Sequence, residues 1–176
     1  MTGRNVLFLC THNSARSILA ESILNTKGGN RFTGYSAGSA PKSFPNDAAV
    51  ACLVEHGHPV DSLRSKSWDE FAVDGAPEMH IVITVCDNAA GESCPLWPGR
   101  PATAHWGIAD PSAVEGSNEQ RRVAFAHAYA LLEERIDRLL ALPKDLSEHA
   151  LKQALSEIGS ESKGATDKSR EAAFPL

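Results

Sequence analysis

An α/β fold, with a four-stranded parallel sheet and helices on both faces, is predicted for this chain by two observations. Short apolar runs alternate with helical patterns through most of its length. Two cysteines, Cys10 and Cys86, each follow one of those apolar runs directly. Sites on parallel sheets lie beyond the carboxyl ends of the strands, so this topology brings both cysteines to one edge.

The run at residues 6–9 reads as a buried parallel strand, and the stretch at 17–27 as a helix. Strands are expected again at 35–38 and 81–85, with a weaker fourth at 103–106, and helices at 46–57 and 118–141. Pro143 closes the long helix that carries Leu131, Leu132, Ile136, Leu139 and Leu140. These boundaries suggest a catalytic domain over 1–143 and an extension over 144–176. Within the extension, 146–158 has a short helical pattern, whereas 159–176 is rich in Ser, Lys, Glu, Asp and Ala and predicts a mobile tail.

With 176 residues, 42% of them hydrophobic, the chain has enough material for one domain with a real core. Its net charge of −5 and its lack of a basic stripe argue against nucleic acid as a partner, so an anionic substrate has to be captured locally. No signal-like segment opens the chain, and no apolar run approaches the ~20 residues of a membrane span, so a cytoplasmic location is expected. In a reducing compartment the four cysteines point to chemistry rather than to a disulfide framework. Cys52 is the exception, because it lies in a helical apolar stretch and reads as a packing residue.

The segment Cys10-Thr11-His12-Asn13-Ser14-Ala15-Arg16-Ser17 lies between a strand and a helix. Loop and helix N–H groups at such a turn converge into an anion cradle whose field favours a thiolate. Arg16 adds a planar cation suited to two oxygens of a tetrahedral oxyanion. Cys86 and Cys94 bracket a polar loop of small residues, and the two sulfurs can meet only if that backbone bends. Half of a zinc site with His80 or His105 is the competing reading of this pair, against which stands a spacing wider than the usual zinc motifs.

Together these segments resemble the thioredoxin-coupled arsenate reductases, which share the low-molecular-weight tyrosine phosphatase fold. The resemblance covers residues 5 to about 140. It rests on Cys10 to Ser17, on Tyr35-Ser36-Ala37-Gly38, on Val82-Ile83-Thr84-Val85-Cys86 with Cys94-Pro95, and on His105-Trp106-Gly107-Ile108-Ala109-Asp110-Pro111. The cysteine pair is what separates the reductases from the phosphatases.

That resemblance implies that Cys10 attacks arsenate held by Arg16 and the amides of Thr11 to Ser17, while Asp110 protonates the departing oxygen. Cys86 then attacks the Cys10–arsenic adduct, and Cys94 resolves the resulting disulfide, leaving Cys86–Cys94 for thioredoxin to reduce. Asn13 matches a side chain that braces the loop, and Ser17 a hydroxyl that hydrogen-bonds the thiolate. Some members bind potassium through residues matching Asn13, Glu21 and Ser36 together with an aspartate. Lys66 falls where that aspartate would be, so its ammonium is expected to replace the ion. The spacing of Cys86 and Cys94 is one residue longer than is usual in that family. No bound cofactor or metal is implied, thioredoxin acts as an external reductant, and a monomer is expected. Two other functions compete: a tyrosine phosphatase working through a phosphocysteine at Cys10, and a non-catalytic oxyanion-binding or redox-sensing module.

Overall fold

A computed structural model describes residues 3–86 and 97–172. Strands β1 (Arg4–Cys10), β2 (Phe32–Gly38), β3 (Ile81–Thr84) and β4 (Ala102–His105) form a parallel sheet in the order β2-β1-β3-β4. Residues 6–9 of β1 are fully buried because that strand has neighbours on both edges and cover on both faces, which accounts for its unbroken apolar run. The helices are α1 (Arg16–Lys27), α2 (Asp47–Glu55), α3 (Asn118–Leu140) and α4 (Glu148–Ala172).

Alternation along β1 divides the core. Val6, Phe8 and Cys10 face the larger cluster, with Ile18, Leu19 and Ile23 of α1, Leu132 and Ile136 of α3, and Leu155 of α4. Leu7 and Leu9 face a smaller cluster containing Phe71 and Met79, flanked by Trp68 of a 3-10 helix at Trp68–Phe71. Side chains close both ends of α3. Ser117 and Gln120 form a reciprocal capping box at α3, and Arg31 donates to the carbonyls of Leu140 and Leu142 beyond its far end.

Leu151, Leu155 and Ile158 join the same core as the strands. The Trp106 indole donates to Leu155 O at 2.9 Å, and Gly159 fits where a Cβ would come within 2.5 Å of His105 O. Segment 144–160 is therefore bound to the sheet edge that leads into the 106–110 loop. Beyond Gly159, where composition predicts a tail, the backbone is helical to Ala172. Helix propagation from a docked first half is inexpensive for residues such as Ala, Glu and Lys, so helicity there needs no apolar face of its own. Among the described residues, no helix is long and apolar enough to cross a membrane.

Candidate active site

Cys10 ends β1 and Arg16 begins α1, so residues 11–15 have to turn the chain within a few positions. Their carbonyls are tied outward: Ala40 N donates to Thr11 O at 2.9 Å, Lys42 N to His12 O at 3.0 Å, and Asn46 N to Ser14 O at 2.8 Å. Asn13 takes a left-handed φ of 46°, which asparagine tolerates better than most residues. Gly38 lies beneath the turn, and a Cβ there would come within 2.5 Å of Thr11 O and 2.7 Å of Cys10 O. Carbonyls tied outward in this way are what a turn needs for its N–H groups to converge on one spot, as the sequence leads one to expect beside Cys10. Ala15, at the helix N-cap, makes no side-chain capping bond, which leaves the first N–H groups for a ligand.

A chain of hydrogen bonds steadies Cys10 from below. Lys66 N donates to Asn13 Oδ1 at 2.9 Å, Asn13 Nδ2 donates to Ser17 Oγ at 2.8 Å, and Ser17 hydrogen-bonds the Cys10 sulfur. Lys66 Nζ donates to Ser36 O and Arg64 O, each at 2.8 Å, while Ser36 Oγ donates to Glu21 Oε2 at 2.9 Å. Burial holds the Lys66 ammonium below its ordinary pKa and the Glu21 carboxyl above its own; each charge partly offsets the effect on the other. The structure thus brings Asn13, Ser17, Glu21, Ser36 and Lys66 into one buried assembly under the loop.

Arg16 reaches across to the segment after β4. Its Nη1 donates to Ile108 O at 3.0 Å, and its Nη2 lies 3.6 Å from Asp110 Oδ2. Its Nε is buried without a partner, a donor that an oxyanion in the cradle would satisfy. Asp110 Oδ1 accepts from Ser112 N at 2.9 Å and Ser112 Oγ at 2.6 Å, capping a 3-10 turn at Pro111–Ala113. Its second oxygen is left on the side of Arg16.

Cys86 follows β3 and hydrogen-bonds the Cys10 sulfur, with Thr11 Oγ1 3.6 Å from Cys86 Sγ. Both cysteines are buried and unbridged. Here one expectation is corrected: the Cys10 thiol is pushed up, not down. The hydrogen bond in which Cys10 donates its own proton towards Cys86, and burial, raise it, outweighing the opposite pull of Ser17 and Arg16. The physical reason is that Arg16 directs its donors to Ile108 and Asp110 while a second sulfur sits against the first. Cys94 lies outside the described residues. Cys52, on α2, donates to Phe125 O at 3.8 Å, and burial pushes its pKa up to about 11. His12 is exposed, with Nδ1 3.1 Å from Ala40 O. Among the described residues no cluster of His, Cys, Asp and Glu could hold a metal ion; His80 Nδ1 instead accepts from Asn5 N, and His105 Nδ1 lies 2.7 Å from Thr84 Oγ1.

Sequence reasoning missed the Ile108 carbonyl as a partner of Arg16, and it missed Arg135. The latter carried a signal, since it interrupts the inward stripe of α3 between Leu132 and Leu139.

The model of the family described as low molecular weight phosphotyrosine protein phosphatase matches residues 5–156. The chain belongs to that family. An arsenate reductase of Bacillus licheniformis is 33% identical to it over 138 residues, covering 78% of this chain and 96% of the relative. Among solved structures, an arsenate reductase from Archaeoglobus fulgidus aligns at a TM-score of 0.59 with 28% identity, over 78% of this chain and 99% of the other. A thioredoxin-dependent arsenate reductase from Corynebacterium glutamicum shares the fold at a TM-score of 0.51 and 24% identity, over 77% of this chain and 62% of that one. The family match ends at residue 156, inside α4, which runs on to Ala172.

Proposed function

We propose that this protein is an arsenate reductase that reduces arsenate to arsenite through a thiol relay and is regenerated by thioredoxin. The observation that carries the reading is a second buried thiol, Cys86, hydrogen-bonded to a cysteine at the floor of an anion cradle. Phosphate-ester hydrolysis has no use for such a neighbour, whereas a two-electron reduction needs one. Its relatives at about a third identity are named arsenate reductases, which supports the same choice.

Arsenate enters the cradle against the loop amides and Arg16, whose orphaned Nε gains an acceptor. The Cys10 thiol gives up its proton to the bound oxyanion as its sulfur bonds to arsenic. Asp110 relays a proton to the arsenate hydroxyl that leaves as water, so that one thiol proton is consumed for each water released. Cys86, already beside Cys10, then attacks the Cys10 sulfur. The sulfur–arsenic electron pair stays with arsenic, which departs as arsenite, and the two sulfurs are left oxidised as a Cys10–Cys86 disulfide. Attack by Cys94 on Cys86 frees the Cys10 thiolate and yields Cys86–Cys94. Thioredoxin returns that disulfide to two thiols, a role suited to a monomer in the reducing cytoplasm. Lys66 supplies the buried positive charge beneath the loop, so no potassium is required.

The shared cradle also favours a second, lesser activity. Cys10, Arg16 and Asp110 together suit slow hydrolysis of small aryl phosphates through a phosphocysteine.

The test is NADPH oxidation with arsenate in the presence of thioredoxin and thioredoxin reductase, repeated with the glutaredoxin system. Cys10→Ser should abolish arsenate and aryl phosphate turnover together. Cys86→Ser and Cys94→Ser should stop the thioredoxin-coupled reaction and spare hydrolysis. After a single turnover the Cys94→Ser protein should hold a Cys10–Cys86 disulfide, and peptide mapping that placed Cys52 in the bond would overturn the relay.

A further inference from the structure

Arg135 is 3% exposed on the inward side of α3, at a position where packing alone calls for an apolar side chain. Its Nη1 donates to Trp106 O at 2.8 Å and Gly107 O at 3.3 Å, and its Nε is buried without a partner. The adjacent carboxylate, Glu134, pairs with Arg138 at 3.6 Å instead. So a charge that is costly to desolvate is spent on two main-chain carbonyls. Burial holds this guanidinium below its ordinary pKa, in keeping with that cost.

Those carbonyls belong to the segment that joins the sheet to the acid. Trp106 N donates to Thr84 O at 2.7 Å and Ile108 N to Val85 O at 3.2 Å, which hold the near end of residues 106–110 on β3. Ile108 O accepts from Arg16, and Asp110 follows two residues later. On the far side the Trp106 indole is held by Leu155 O of α4.

We propose that Arg135 is a positioning residue: by gripping the carbonyls of Trp106 and Gly107 it sets where the 106–110 strap crosses the oxyanion loop, and so aims Asp110 and the Ile108 carbonyl at Arg16. The consequence for catalysis rests on the reading of Asp110 as the acid.

Arg135→Met keeps the stem and removes the donors; Arg135→Lys keeps a cation with a single donating end. Amide hydrogen exchange at Ile108 should be about tenfold faster in the Met variant and intermediate in the Lys variant, with β1 amides unchanged. A general acid matters most for a poor leaving group, so Arg135→Met should slow phenyl phosphate hydrolysis about tenfold more than p-nitrophenyl phosphate hydrolysis. Combined with Asp110→Asn, it should add nothing further to that ratio. A merely structural arginine would lower the melting temperature and leave both readouts alone. Unchanged exchange at Ile108, or an unchanged leaving-group ratio in a folded variant, overturns the proposal. Should Asp110→Asn itself leave the ratio untouched, the acid assignment falls, and Ile108 exchange alone decides whether Arg135 holds the strap. If Arg135→Met does not fold, Arg135→Lys carries the same comparison.

Discussion

The oxyanion loop and the 106–110 strap meet at Arg16, and each is held by a buried cation, but the two cations are balanced differently. Lys66, under the loop, donates to the carbonyls of Ser36 and Arg64, and the Glu21 carboxylate lies just beyond Ser36 as a counter-charge. Arg135, behind the strap, has two carbonyl partners and a neighbouring carboxylate committed elsewhere. The Cys10 side thus has its buried charge balanced, while the Asp110 side relies on main-chain dipoles. Loss of Lys66 should be felt first as uncompensated charge, and loss of Arg135 first as misplacement.

The meeting point is where the largest effect is expected. Arg16→Lys cannot reproduce a planar fork that serves the oxyanion and the strap together, and should lower kcat/KM for arsenate by about 10³-fold. Steady-state kinetics showing less than a tenfold fall would mean that the two regions do not converge on this side chain. Next comes the strap alone: Asp110→Asn should cost about 10²-fold in kcat while phosphate affinity, measured by titration calorimetry, stays within a few-fold.

On the loop side, Lys66→Met leaves Glu21 buried with only Arg64, itself paired with Glu70, as a nearby cation, and should destabilise the fold by about 3 kcal/mol at neutral pH in denaturant titration. The sign of its pH dependence follows from Glu21. A carboxyl whose folded pKa is raised above 4.5 binds more protons folded than unfolded, so stability falls as pH rises through the folded value. Removing Lys66 raises that value further, and the variant should regain stability on acidification relative to wild type. Lys66→Asp should make thermal stability respond to potassium over sodium at equal ionic strength, whereas wild type should show no difference; a potassium response in wild type would reopen the balance assigned to Lys66.

The smallest effect lies away from both regions. His58 is buried between α1 and α3, with Ser22 Oγ at 2.9 Å, Thr26 Oγ1 at 3.0 Å and Tyr129 OH at 2.7 Å. Burial holds its pKa below 6.5, so its contribution is complete above that value and is lost as pH falls through the lower folded one. His58→Gln should flatten the decline of melting temperature between about pH 7 and pH 5 without changing kcat at neutral pH.

What could be read from the order of residues is what local geometry decides. Cys10 to Ser17 is one contiguous strand–turn–helix, so its cradle is written in adjacent positions, and Cys86 is placed by following β3. The parallel sheet followed from apolar periodicity, clearest at fully buried β1 and faintest at β4, an edge strand whose half-buried residues alternate with exposed ones. Tertiary structure alone decided whatever depends on partners far apart in sequence. Arg16 and Ile108, and Arg135 and Trp106, meet only because the strap folds back over the loop. The direction of the Cys10 shift was decided there too: loop amides and a helix terminus are local features, but the thiol's proton answers to Cys86, to burial and to where Arg16 points. Periodicity is a property of a few neighbouring residues; a hydrogen bond or a desolvated charge is a property of the packed chain.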